Sequence, residues 1–341
     1  MELGTLQIIW FFLYGVLITG YAILDGFDLG VGVLHLFAKS EEERRININA
    51  IGPVWDGNEV WLLTAGGALF AAFPPVYATV FSGFYLALML VLLALILRAV
   101  SMEFRGHVES DKWRSVWDFA FGLGSLLPAI LFGVAVGNLL RGIPLDENGI
   151  FTGTFFGLLN PFSLLIGILS LVMFVKHGAI YMVLKTKGEL KDRMNNIASK
   201  AWTVFVVLFI LATIYAFFEA PYLFEGMLSN ALFWLFFILL IGSIIATPTL
   251  ILKENEWKPF VSSSITIAAL IGVTAVGMFP KLVPAIGDMS RSLTITNSSS
   301  TAPTLSAMLI IALIGMPIVI GYTIFIYRIF WGKVEITEES Y

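Results

Sequence analysis

The chain has 341 residues, of which 58% are hydrophobic and only 13% charged, with a formal net charge of −4. Soluble globular domains carry about 25% charged residues, so this composition excludes an ordinary soluble fold. The absence of a basic cluster with stacking aromatics excludes a nucleic-acid binder, and the absence of cysteine excludes disulfides, iron–sulfur clusters and thiol chemistry.

Apolar runs long enough to cross a ~30 Å hydrocarbon core recur from end to end. Nine are read, at about 6–37, 53–74, 76–102, 116–139, 155–183, 200–219, 230–252, 259–280 and 304–331. The N-terminus, Met1-Glu2-Leu3, has no basic n-region and no cleavage site follows, so the first run reads as a retained helix rather than a signal peptide. The second run opens with Asp56 and Glu59 and ends at Phe73-Pro74-Pro75, and the basic residues test it. With nine spans, seventeen Lys and Arg residues, Arg98 and Lys176 among them, fall on one side, and Arg141, Lys281 and Arg291 on the other. The positive-inside rule then places the N-terminus outside and the C-terminus in the cytoplasm. Pro128, Pro248 and Pro317 lie within spans, where neighbouring helices re-satisfy the freed backbone groups. The Lys281–Pro303 segment, Ser/Thr-rich over Thr294–Thr301, reads as a flexible external loop, and the polar tail Lys333–Tyr341 as frayed. The fold class is all-α, a single integral membrane domain over 1–341.

Four acids stand out. Asp25 and Asp28 sit inside the first apolar run at i, i+3, and Asp56 and Glu59 repeat that spacing at the start of the second, so each pair shares a helix face. Asp25 lies ~28 Å along the helix from Leu6 at 1.5 Å per residue, in the cytoplasmic half. Asp56 and Glu59 lie at the cytoplasmic start of the next span. A charge at the centre of a lipid-facing helix costs roughly 3 kcal/mol on insertion scales, so such acids belong to a bundle interior or a wet cavity. These carboxylates, with Asn58 and Trp55 beside them, are candidates to pass protons inward from the cytoplasm. Asp28, nearer the interface, reads as more structural. The competing reading is that the acids cap helices or pair with Arg98 or Arg44. Asp118 and Glu103 are expected to cap or pair. His35, His107 and His177 give no convincing axial haem pair, and no metal site is expected. Gly26-x-x-x-Gly30 and Gly133-x-x-x-Gly137 are close-approach faces; the first is expected to meet a partner subunit.

Two motifs carry a family resemblance. They are Gly20-Tyr21-Ala22-Ile23-Leu24-Asp25-Gly26-Phe27-Asp28-Leu29-Gly30-Val31-Gly32, and Gly52-Pro53-Val54-Trp55-Asp56-Gly57-Asn58-Glu59-Val60-Trp61-Leu62 leading into Gly66-Gly67-Ala68-Leu69-Phe70-Ala71-Ala72-Phe73-Pro74. With Asn160-Pro161-Phe162, Lys176-His177-Gly178-Ala179 and the length, the chain resembles subunit II of cytochrome bd-type quinol oxidases throughout. The resemblance implies nine helices as two four-helix bundles (1–140 and 155–280), a peripheral helix (304–331) and a cytoplasmic tail (332–341), in a bacterial plasma membrane. It implies quinol oxidation coupled to reduction of oxygen to water and a proton gradient. Haem b and haem d would be ligated by subunit I, with none in this chain, and short single-span accessory subunits occur in the family. The family's proton-route acids match Asp25 and Asp56. The rivals are a stand-alone proton-coupled transporter, which should show internal repeats that are not visible here, and a passive scaffold.

Overall fold

The structure, a computed structural model, describes residues 1–253 and 256–336. A helix begins almost at once: α1 (Leu3–His35) runs 33 residues. Then α2 (Glu41–Ile51) forms a short helix where the sequence reading had only a loop. Its start is capped by Ser40, whose hydroxyl accepts the Glu43 N–H at 3.2 Å, and Glu41, Glu42 and Glu43 complement the dipole of the first turn. Next come α3 (Trp55–Ala72), α4 (Pro74–Gly83) and α5 (Tyr85–Phe104). The expected third span is thus two helices, broken at Phe84. Beyond it lie α6 (Asp111–Arg141), α7 (Pro161–Lys185), α8 (Gly188–Glu219), α9 (Ala231–Leu252), α10 (Lys258–Met278) and α11 (Ala302–Ile329). Pro161 opens α7 directly after Asn160, whose side chain accepts the Ser163 N–H at 2.9 Å.

Among the described residues, eight helices are long and apolar enough to cross a membrane: α1, α5 with the turn that follows it, and α6 to α11. α3 is shorter and carries Asp56 and Glu59. It lies antiparallel along α1. At one end Asn58 donates to Asp28; at the other, Ser300 donates its N–H to the Ala72 carbonyl at 2.8 Å while neighbouring Ser299 accepts from Gln7 of α1 at 2.7 Å. α3 therefore accompanies α1 from Asp28 back to Gln7.

α1, α6 and α7 form the central seam, with α3 and α5 on one side and α8, α9 and α10 on the other. Glycine sets how closely α1 and α7 cross. A Cβ on Gly30 would fall 2.7 Å from the Phe174 carbonyl carbon and 3.0 Å from Gly178 Cα. Gly26 meets the Phe174 ring, and Gly133 and Gly137 meet Ser170, Ile166 and Ser163 of α7. Both GxxxG faces are therefore consumed inside this chain, which corrects the expectation that Gly26 and Gly30 meet a partner subunit. α11 lies outermost, against α1 and α3, with Leu305 its one buried residue among those described.

The Lys281–Pro303 segment is not a free loop. β1 (Lys281–Val283) pairs antiparallel with β2 (Leu293–Thr294), and Val283, Ala285, Leu293 and Ile295 are buried over the Leu6 end of α1. Long-range backbone pairing, which composition does not reveal, orders it. The tail is also partly docked: Lys333 donates to the Val183 carbonyl at 3.0 Å and Val334 N–H to the Lys185 carbonyl at 2.8 Å. Its last five residues lie outside those described. Arg98 and Lys176 are fully buried in α5 and α7, so they are interior charges and leave the loop-charge comparison.

Candidate functional site: a buried carboxylate–arginine cluster

Asp25 and Asp28 project from the inner face of α1, and both are fully buried. Arg98, 0% exposed on α5, reaches between α1 and α3. Its Nη1 lies 2.7 Å from Asp25 Oδ1 and its Nη2 donates to Glu59 Oε2 at 2.8 Å, so one guanidinium joins an acid of α1 to an acid of α3. The Asp25 contact has the distance of an ion pair but not the alignment of a hydrogen bond; the Tyr21 hydroxyl lies beside Asp25, and Arg98 Nε has no hydrogen-bond partner among the described residues. Asn58 donates to Asp28 Oδ2 at 2.8 Å, leaving Asp28 Oδ1 unpaired. Asn58 therefore belongs to Asp28 rather than bridging all four acids.

Exposure is graded along this group. Asp25 and Asp28 are sealed, the Glu59 side chain is 23% exposed, and Asp56, one turn nearer the helix start, is exposed. Trp55 packs on the apolar cluster around Ile48, Ile51 and Val54 and makes no contact with the acids in the hydrogen-bond network. The i, i+3 spacing thus brings Asp25, Asp28 and Glu59 together and leaves Asp56 at the rim. Chemically, the interior holds three carboxyls around one guanidinium. Such a site has spare acceptor capacity and the side chains that exchange protons.

Arg98 is the centre that the sequence reading gave only as a pairing alternative. A lone arginine inside the 76–102 apolar run is the signal that marks it. Tyr327, which donates to Asn58 Oδ1 at 3.0 Å from α11, had no local signal. A second cluster closes the His35 end. There Asp118 takes His35 Nε2 and Arg105 Nε, each at 2.6 Å, and Arg44 Nη1 at 3.1 Å, and Arg105 also pairs with Glu41 at 2.7 Å. Asp118 pairs, as the sequence suggests.

The histidines do not fit an axial haem pair. His177 is held by Ser263 at 2.9 Å and the Ile23 carbonyl at 3.1 Å, His35 by Asp118, and His107 stacks on Phe104. No group of three metal-type ligands occurs among the described residues.

Residues 6–330 match the family model for cytochrome bd terminal oxidase subunit II. The chain belongs to that family. It is 39% identical over 374 residues to the cytochrome bd-I ubiquinol oxidase subunit 2 of Escherichia coli strain K12, covering 100% of this chain and 97% of that one. It is 36% identical over 338 residues to the cytochrome bd ubiquinol oxidase subunit 2 of Bacillus subtilis strain 168, covering 98% and 99%. Its fold resembles a chain of the bd oxidase structure from Geobacillus thermodenitrificans, with a TM-score of 0.80 and 16% identity over 96% of this chain and 98% of that one. As a cytochrome bd subunit II, the chain is part of an oxidoreductase complex in a membrane, and the complex depends on haem.

Proposed function

We propose that this subunit supports the haem-bearing subunit I of a bd-type quinol oxidase and supplies cytoplasmic protons to its oxygen site. In this reading the complex oxidises quinol, reduces oxygen to water and builds a proton gradient, with haem b and haem d held by subunit I. The observation that carries the reading is the Asp25–Arg98–Glu59 cluster with Asp28 beside it, sealed at Asp25 and opening through Glu59 towards exposed Asp56. The stand-alone transporter reading gives way to family membership.

We further read α3 as a ninth span. Its antiparallel course along α1 supports this, at ~27 Å for 18 residues. The packing of α1, α3, α5 and α6 and of α7 to α10 supports two four-helix bundles with α11 peripheral, and the distribution of basic loop residues supports an outside N-terminus and a cytoplasmic C-terminus. Subunit I is assigned to the outer face of α3. There Gly57, Gly66 and Gly67 have open space where a Cβ would stand, and Val60, Leu63 and Phe70 are exposed. A close-packed partner helix suits such a surface. A short accessory subunit fits the same family pattern.

The test is Asp25→Asn. Asparagine keeps the shape and cannot carry a proton, and Arg98 keeps Glu59 as its partner. Oxygen reduction should slow strongly while the haem spectrum and subunit yield stay near normal. Asp56→Asn should act the same or somewhat less, and Asp28→Asn least, since Asp28 has no direct contact with Arg98. Full turnover in both the Asp25 and Asp56 variants would sink the proton-supply reading; loss of assembly in Asp25→Asn would make its role structural.

A further inference from the structure

α11 is a strange place from which to reach a buried carboxylate. Of its 28 residues 17 are exposed, and Leu305 is the one that is fully buried. Its two ends are nonetheless fixed. The Trp10 indole donates to the Leu305 carbonyl at 3.0 Å, and at the other end Lys185 donates to the Phe330 carbonyl at 2.6 Å. Between these ties, one turn before Phe330, Tyr327 turns inward and its hydroxyl donates to Asn58 Oδ1 at 3.0 Å.

Asn58 is 2% exposed and stands between two groups. Its Nδ2 donates to Asp28 Oδ2 at 2.8 Å, with a longer contact of 3.4 Å to the Leu24 carbonyl. An amide has one acceptor end and one donor end, and a network fixes which end points where. A phenol donates its one proton readily and, once shielded from water, needs a partner. A carboxylate only accepts. The arrangement that satisfies all three is the observed one: phenol to Oδ1, Nδ2 to Asp28.

We propose that Tyr327 is a positioning residue for the acid cluster: by holding Asn58 Oδ1 it aims the Asn58 amide donor at Asp28, so the peripheral helix sets the hydrogen bonding of a carboxylate in the bundle interior. The inference rests on the proton-supply reading only for its effect on turnover. The charges of Asp25 on its own helix, Glu59 on α3 and Arg98 on α5 act on Asp28 through space, and the Tyr181 and Tyr327 hydroxyls lie within electrostatic reach of it. Of the neutral donors here, the Tyr181 hydroxyl is spent on the Ala50 carbonyl at 2.9 Å and the Tyr327 hydroxyl on Asn58, so the Asn58 amide is the one that donates to Asp28 among the described residues. With the phenol removed, Oδ1 loses its donor and the amide is held from its Nδ2 end alone, by Asp28 and the long Leu24 contact, so its aim at Asp28 loosens.

The test is Tyr327→Phe in the assembled oxidase, which keeps the ring and its packing and removes only the hydroxyl. Asn58→Leu and the double variant complete a cycle. The first readout is the infrared carboxylate band of Asp28, with isotope-labelled aspartate and Asp28→Asn for assignment. This band reports hydrogen bonding to Asp28 whether or not the group carries protons during turnover. It should shift in Tyr327→Phe and in Asn58→Leu, and the double variant should match Asn58→Leu. The second readout is oxygen consumption at normal haem content, expected to fall in Tyr327→Phe by no more than in Asp28→Asn, and no further in the double variant than in Asn58→Leu. An unshifted band in Tyr327→Phe, or additive effects of the two substitutions, would overturn the positioning role. A shifted band with unchanged turnover would confirm the positioning and count against proton supply through Asp28.

Discussion

Arg98→Met should be among the most damaging single changes in this chain. Arg98 is 0% exposed and bridges Asp25, also sealed, to Glu59, whose side chain is 23% exposed. Methionine fits the aliphatic part of the arginine but leaves two acids without their cation. Removing one partner of a buried ion pair costs about 3–5 kcal/mol, against a total stability of about 5–15 kcal/mol for a typical domain. At 1.4 kcal/mol per tenfold, that is roughly two to four powers of ten in the folded population. The yield of haem-loaded complex on size exclusion and its thermal midpoint should both drop sharply. The triple variant Arg98→Met, Asp25→Asn, Glu59→Gln should recover most of the stability, because the loss comes from uncompensated charge. It should still fail to turn over oxygen. A stable Arg98→Met single variant, or a triple variant no more stable than the single, would refute the electrostatic reasoning.

Other substitutions separate the seam from the open face. Gly30→Ala drives a Cβ into the Phe174 backbone and should lower the thermal midpoint by the equivalent of about 1–3 kcal/mol or more. Gly66→Leu, with open space at its Cβ, should leave the chain inserted and folded but reduce co-purification with subunit I. Lys176 is 1% exposed, and the partner of its Nζ among the described residues is the Phe205 ring, 4.5 Å away. Lys176→Met should therefore be neutral or raise stability by about 1–3 kcal/mol in thermal unfolding, and a clear fall would show an unrecognised partner. Glu43 links α2 to α8. Partial burial pushes its carboxyl up, but the Arg193 hydrogen bond, the Lys39 N–H and the charges of both residues outweigh this, so it is held below its ordinary value. A depressed carboxyl stabilises above its unfolded value and loses that contribution as pH falls through its folded one. The thermal difference between wild type and Arg193→Ala should thus be present near neutral pH and vanish in acid, and a difference independent of pH would contradict it.

The apolar runs and the i, i+3 acid pairs were legible because length and spacing alone specify them. What each helix face meets was not. Gly26-x-x-x-Gly30 announces a close approach but not whether the neighbour is another chain or, as found, α7. Arg98 looked like a loop-side charge because hydropathy counts its neighbours and not its depth. The α2 helix has a signal in the sequence itself, Ser40 and Glu43 at capping-box spacing, but no apolar periodicity beside it. Tyr327 meets Asn58 across 269 residues, and the Lys281–Pro303 segment is ordered by pairing with itself and packing over α1. Such contacts arise only from the tertiary arrangement, which local pattern does not encode.

Stability alone gives a weak account of the acid cluster. A buried ion group replaced by well-packed apolar residues of similar volume is often as stable or more so, and α1, α3 and α5 have apolar residues at neighbouring positions to fill the space. The seam around it is already close-packed through Gly30, Phe174 and Gly178 without help from charge. The cluster also sets a third carboxyl, Asp28, beside the Asp25–Arg98–Glu59 pairing with no direct contact to the cation among the described ion pairs. Its exposure rises stepwise from Asp25 through Glu59 to Asp56, and helix anchoring requires no such gradient. A route that moves protons from a rim into a sealed interior does require one. Recovered stability without recovered turnover in the triple variant is the outcome that separates these accounts.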